Sequence, residues 1–249
     1  DPMINLRFFR IRNFSLGNGI VFLASFTVFS FFAYTPLYIQ GSLGLSPVEV
    51  GAVMVSLSLG WSLGAFFYGR FPGDGYEKRW SIAGALIMFV GSLFTIRFGL
   101  STTVIECFIL FFIIGVGMGF VSLSSLILVQ ESVGEQNLGI VTSVHQFSRS
   151  LGGTIGVGIC GGLVTNGLFR SLDNSMNLLP TELIEKLQEN VENILIPEFQ
   201  QSVPEKAVEL IGNAVLSGVF YSFVVASVSS FCCLLCCIFI SKKSTTDFL

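Results

Sequence analysis

Long stretches without charge dominate the pattern along this chain. Residues 13–48, 50–69, 80–96, 107–130, 150–169 and 210–241 contain no Asp, Glu, Lys or Arg. A helix that crosses a bilayer needs about 20 apolar residues. The runs therefore predict six spans, over 14–38, 48–69, 80–96, 104–129, 138–168 and 214–240. The third is the shortest, and His145 and Arg149 interrupt the fifth. The other spans are apolar around their whole circumference, as helices set between lipid and packed neighbours must be. The strict alternation of a membrane barrel is scarce. The expected fold class is all-α and polytopic, with six transmembrane helices.

Composition sharpens this reading. Only 12% of the 249 residues are charged and 52% are hydrophobic, where soluble domains carry about 25% charged residues. The mean hydropathy is +0.77. The few charges are also clustered, with eight acids and three bases between 170 and 213. So few charges elsewhere leave a soluble fold of this size without a polar surface. Soluble enzymes are poor readings, and a pI near 5.2 opposes binding to nucleic acid. The single histidine excludes most His-based catalytic or metal constellations.

Lysine and arginine set orientation. Six spans put both termini on one side, with Arg7, Arg10, Arg12, Arg70, Lys78, Arg79, Lys242 and Lys243. The other side holds Arg97, Arg170, Lys186 and Lys206. The bias predicts a multi-pass protein of the cell membrane, plasma or inner, with both termini cytoplasmic. The resulting organisation is a cytoplasmic segment over 1–13, helices one to five within 14–169, an outer loop over 170–213, helix six over 214–241 and a cytoplasmic tail over 242–249. The first span is too long for a signal peptide and lacks a small-residue cleavage site. The chain opens on Asp1, not Met, and is read as a piece of something longer. In the outer loop, Leu183, Ile184, Leu187, Val191, Ile194 and Leu195 recur at helical spacing opposite Glu182, Glu185, Glu189 and Glu192. That spacing predicts an amphipathic helix. A second helix is expected to start at Pro204 and run into the last span.

Six cysteines fall inside or beside spans, so no disulfide framework is expected. Cys232, Cys233, Cys236 and Cys237 sit among Leu, Phe and Ile. They read as small apolar fillers, with lipidation or metal as the alternative. Zinc would need ligands converging in a polar shell, and no metal site is expected. Ser46-Pro-Val-Glu49 has the form of a capping box that starts the second span. Gly115 and Gly119 in the fourth span, and Gly152, Gly153 and Gly156 in the fifth, are candidate packing glycines, because small residues four apart let backbones approach. Arg149 carries the most information, since a charge inside a span faces a cavity or a partner. Thr142, His145, Gln146, Arg149, Gly152, Gly153 and Gly156 fall on one helical face. The alternative is a structural Arg bonded to the carbonyls of helix ends.

Together, these motifs carry a resemblance. The order Leu6-Arg-Phe-Phe-Arg-Ile-Arg-Asn-Phe14, Pro36-Leu-Tyr-Ile-Gln40, Gly44-Leu-Ser-Pro47, Gly69-Arg70 with Asp74, and Arg149-Ser-Leu-Gly-Gly-Thr-Ile-Gly156 resembles the C-terminal half of a major facilitator superfamily transporter. It is most similar to the fourteen-helix drug–proton antiporter branch. The fifth span has Gln146 where that branch often has Asn. The resemblance implies two six-helix halves about a central cavity, each half made of two inverted three-helix repeats. It implies partners: membrane lipid, the N-terminal six (or eight) helices, a hydrophobic or cationic small molecule, and protons. It implies no cofactor. Tyr34, Tyr38, Gln40, His145, Gln146 and Arg149 would line the cavity. Gly69, Arg70, Asp74, Lys78 and Arg79 would form the cytoplasmic loop motif. The acids read as lying at outer span ends (Glu49, Glu106) or in loops and tails, so the main proton site is expected in the other half. Two other readings remain: a natural six-helix half-transporter that dimerises, and a non-transporting assembly or signalling subunit.

Overall fold

A computed structural model describes residues 6–70, 76–133, 135–173 and 205–241. Among them lie six long helices and no strand: α1 (Arg12–Leu37), α2 (Pro47–Arg70), α3 (Glu77–Thr95), α4 (Val104–Glu131), α5 (Leu138–Asp173) and α6 (Glu205–Ile238). Short 3-10 turns at Leu6–Arg10 and Glu135–Asn137 precede α1 and α5. Five helices are long and apolar enough to cross a membrane. The sixth, α3, has 19 residues and opens on Glu77, Lys78 and Arg79, which shortens its apolar part. The loop helix expected around 182–195, Asp74, Lys242 and Lys243 lie outside the described residues.

Helix ends follow from capping chemistry. Glu49 accepts from the Ser46 backbone N–H at 2.7 Å and from its hydroxyl at 2.9 Å. That completes the backward half of the expected capping box at α2. A full capping box starts α4, with Thr103 accepting from the Glu106 N–H and Glu106 accepting from the Thr103 N–H. Thr103-x-x-Glu106 carries the same start signature as Ser46-x-x-Glu49. The first span extends past its expected end at Tyr38 in a π-helical turn, Tyr38–Ser42. Gly44 closes that turn at φ 65°, where an L side chain is strained. α5 overruns the expected start of the loop, whereas α6 begins beside Pro204 and runs into the last span as expected. α5 runs to Asp173, and α6 is one helix from Glu205.

Helix pairing has an internal repeat. α2 packs on α4 and α5 packs on α1, while α1 and α4 meet at the centre and α3 touches α6. The first three helices therefore relate to the last three as α1 to α4, α2 to α5 and α3 to α6. Both glycine seams repeat the relation. Gly60 and Gly64 of α2 sit against the carbonyls of Phe112 and Val116 on α4, and Gly152 and Gly156 of α5 sit against those of Phe22 and Phe26 on α1. Each pair is a glycine step of four facing a carbonyl step of four, the spacing of one helical turn.

An unpaired polar group is costly where water is excluded, and several hydroxyls here pair between helices. Ser92 and Ser230 hydroxyls meet at 2.7 Å between α3 and α6, and Ser81 bonds Ser124 at 2.7 Å between α3 and α4. At the end bearing Arg12 and Arg70, the last carbonyls of α6 collect donors from two other helices. Arg12 donates to Phe239 at 2.8 Å, and Lys78 donates to Ile240 at 2.6 Å. Cations on a helix C-terminus satisfy orphan carbonyls and the dipole together.

Candidate functional site

Arg149 lies eleven residues after Leu138 on α5, roughly 16 Å into the helix at 1.5 Å per residue. Its guanidinium carbon stands 4.5 Å from the centroid of the Trp61 ring on α2, inside cation–π range. Both residues are half-buried. α2 belongs to the first three helices and α5 to the last three, so this contact bridges the two repeats. Two glycines set Trp61 in place: Gly115 and Gly119 of α4 pack against the Trp61 backbone. On α5, Gly152 seats the next turn on α1. Among the described residues, no ion pair or hydrogen bond to a carbonyl engages Arg149.

The stripe read around Arg149 divides in the structure. Gln146 and Phe147 are exposed, whereas His145 is 1% exposed. Adjacent residues stand about 100° apart on a helix, so two faces share one polar run. The His145 Nε2 and Ser125 Oγ lie 3.1 Å apart, joining α5 to α4. Gln130 donates to Thr142 at 2.9 Å, and Ser148 donates to Asn18 at 3.3 Å. Gly152, Gly153 and Gly156 are turned to α1, with Gly153 under the Phe29 ring. The open side of α5 is instead Gln146, Ser150 and Thr154, facing outward with Ser58 and Ser62 of α2 also exposed.

The two tyrosines take structural roles. Tyr38 is fully buried, stacked on Phe98 at 5.4 Å and edge-on to Phe223 at 6.0 Å. Its hydroxyl donates to the Gly99 carbonyl at 2.8 Å. A ring so enclosed lines no open wall, and the π-helical turn carries it into the core. Tyr34 is half-buried and donates to the Val157 carbonyl at 2.7 Å, with Gly161 leaving room for its hydroxyl. Gln40 is half-buried in the π turn. Of the loop motif, Gly69 and Arg70 end α2, Lys78 caps α6 and Arg79 lies over the Tyr76 ring at 5.2 Å.

Two acids expected in loops belong to helices, Glu77 opening α3 and Glu131 closing α4. The six cysteines are free thiols, and the described residues hold no group of His, Cys, Asp and Glu arranged for a metal. Cys233 donates to the Ile20 carbonyl at 3.6 Å, which fits small apolar packing. Trp61 is the site residue that sequence reasoning misses. Its signal is position: Trp normally marks the ends of spans, and Trp61 is in mid-helix.

Comparison with known proteins places this wall in context. The chain is similar to the multidrug transporter protein MdtP of Bacillus subtilis, 30% identical over 75% of this chain and 33% of that protein. Multidrug resistance protein 3 of the same organism is 23% identical over 91% of the chain and 45% of its own length. The vacuolar membrane amino acid uptake transporter fnx2 of Schizosaccharomyces pombe is 24% identical over 84% and 35%. The chain thus spans less than half the length of these relatives. The sequence profile of the Major Facilitator Superfamily matches residues 2–157, from before α1 into α5. With its repeated three-helix pairing and its apolar, multi-pass helices, the chain belongs to the Major Facilitator Superfamily of membrane transporters.

Proposed function

We propose that this chain is the C-terminal six-helix half of a proton-coupled efflux transporter for hydrophobic or cationic small molecules. It supplies one wall of a central cavity. The observation that carries the reading is Arg149, a charge set deep in an apolar bundle and half-open on the face shared by α2 and α5. The drug-named relatives support the substrate class. Gln146, Ser150, Ser58 and Ser62 give that face its few polar groups, and exposed Phe66, Phe147 and Phe29 give it adaptable apolar area.

The main proton site belongs to the other half. Coupling needs a titratable acid within the membrane. Glu49 and Glu106 are engaged in helix caps, and Glu77 and Glu131 stand at helix ends. The N-terminal six (or eight) helices would contribute that acid. Purified 1–249 in liposomes under a pH gradient should therefore show no flux of a cationic dye, and co-reconstitution with the upstream helices should restore it. Sustained flux from the chain alone would favour a dimerising half-transporter instead.

Orientation follows the eight-to-four bias of Lys and Arg. The wall would then sit in the cell membrane with both termini cytoplasmic. Single cysteines at Gly134 and Asn174 should label with an impermeant maleimide from opposite faces, Asn174 from outside. Labelling of both from outside would reverse the arrangement.

A further inference from the structure

We propose that Arg149, held against the Trp61 ring, is a docking site for a carboxylate. This deepens the proposed function, since it rests on the α2–α5 face being a cavity wall.

The geometry separates two surfaces of the guanidinium. The Trp61 ring lies on one side of it, its centroid 4.5 Å from the guanidinium carbon. The guanidinium edge carries five N–H donors in a planar fork and no acceptor. Among the described residues, neither a hydrogen bond nor an ion pair reaches that edge. The groups around it cannot take the role. His145 is turned inward to Ser125, Gln146 and Ser150 are exposed, and the Ser148 hydroxyl is given to Asn18. Glu49, Glu77, Glu106 and Glu131 stand at helix ends, and α2 brings Trp61 to the site, with Ser58 and Ser62 exposed on the same helix. A cation half-removed from water with unused donors calls for an anion.

The fork selects the kind of anion. A carboxylate accepts two parallel N–H bonds from one guanidinium, and the fit is lost with an ammonium in its place. Trp61 holds the fork still, so less freedom is lost when the carboxylate arrives. The neighbouring Phe29 and Phe147 rings are exposed at 38% and 63%, which suits a carboxylate on an apolar body. Two sources share this chemistry: a carboxylate-bearing substrate, and an acidic side chain presented by the opposing half of the transporter.

The chain contains two tryptophans, Trp61 and Trp80, so Trp80→Phe leaves Trp61 as the only indole. Emission of that variant in nanodiscs is titrated with cyclohexanecarboxylate, its carboxamide and cyclohexylamine. The carboxylate should give a saturable change that the amide and the amine do not match. Arg149→Ala should abolish it. Arg149→Lys, which keeps the charge and serves as the folding control, should bind about tenfold more weakly because the bidentate pair is lost. The same titration in the transporter carrying both halves assigns the source. A retained response points to substrate. A response absent there and restored by neutralising an opposing acid points to that side chain. Equal responses to all three probes, an unchanged response in Arg149→Ala, or no saturable response in either form would each overturn the site. A dye-flux failure with carboxylate binding intact would fault only the proposed transport activity.

Discussion

Gly115→Ala should lower the thermal unfolding temperature of the detergent-solubilised chain more than any alanine placed on the open face of α2. A Cβ at Gly115 would press on the Leu57 carbonyl and come within 2.9 Å of the Trp61 nitrogen. These are backbone atoms, which yield only if α2 and α4 separate along the whole seam. Close-packed interiors tolerate such insertion poorly, at a cost of about 1–3 kcal/mol. Gly60 sits on the same seam from the other side, against the Phe112 carbonyl. Once one alanine has parted the helices, the second has less left to disturb. Gly60→Ala with Gly115→Ala should therefore destabilise by less than the sum of the two. Gly51, where an added Cβ would meet no atom within 4 Å, is the control. A Gly115→Ala melt that coincides with Gly51→Ala would show that the seam is slack.

Arg149→Ala in a transporter containing both halves should abolish drug efflux while the protein still reaches the membrane. Arg149 touches the Trp61 ring, and the close backbone approach of α5 to α1 begins one turn on, at Gly152. Its loss should spare folding and remove the one charge on the wall. Arg149→Lys should restore little, because Lys presents a point charge without the planar fork and stacks less well on an indole. The expected loss is at least about tenfold in initial efflux rate, the scale of a charge-assisted bidentate contact. Gln146→Asn should be tolerated, since Gln146 is exposed and the amide is kept. Dye efflux at matched expression decides the matter. Normal export by Arg149→Ala would reduce the Arg149–Trp61 contact to surface packing.

Much of the architecture is legible because lipid imposes a simple rule. Every backbone polar group in a bilayer must be bonded within its own segment, so an uncharged run of sufficient length is a helix. The six spans follow from that rule, and the start of the second from Ser46-x-x-Glu49. Local signals mislead where they are taken too narrowly. The π-helical turn at Tyr38–Ser42 continues a helix past Pro36 and Gly41, residue types that usually end one. Glu77 and Glu131 look like loop residues if charge marks a boundary, whereas Glu77 opens α3, where the helix dipole favours an acid, and Glu131 is the last residue of α4. Grouping His145 with Gln146 and Arg149 treats polarity as one face, although successive residues diverge by about 100°.

The candidate site is half legible. Arg149 announces itself, because a charge among apolar residues has few innocent explanations. Trp61 does not, because in an apolar span an aromatic ring reads as one more lipid-facing or core residue. The spans, the glycine steps at Gly115–Gly119 and Gly152–Gly156, and the deep cation Arg149 can be read from the chain alone. Only the tertiary structure decided that α2 meets α4 and α5 meets α1, that Tyr38 is buried, and that Arg149 lies on Trp61. The physical reason is that helices in lipid are apolar on every side. A water-soluble helix reveals its buried face through amphipathic periodicity. Here lipid and neighbour look alike to the sequence, and partners are chosen by close backbone fit and by sparse interhelical polar contacts, which depend on the facing helix as much as on the helix itself.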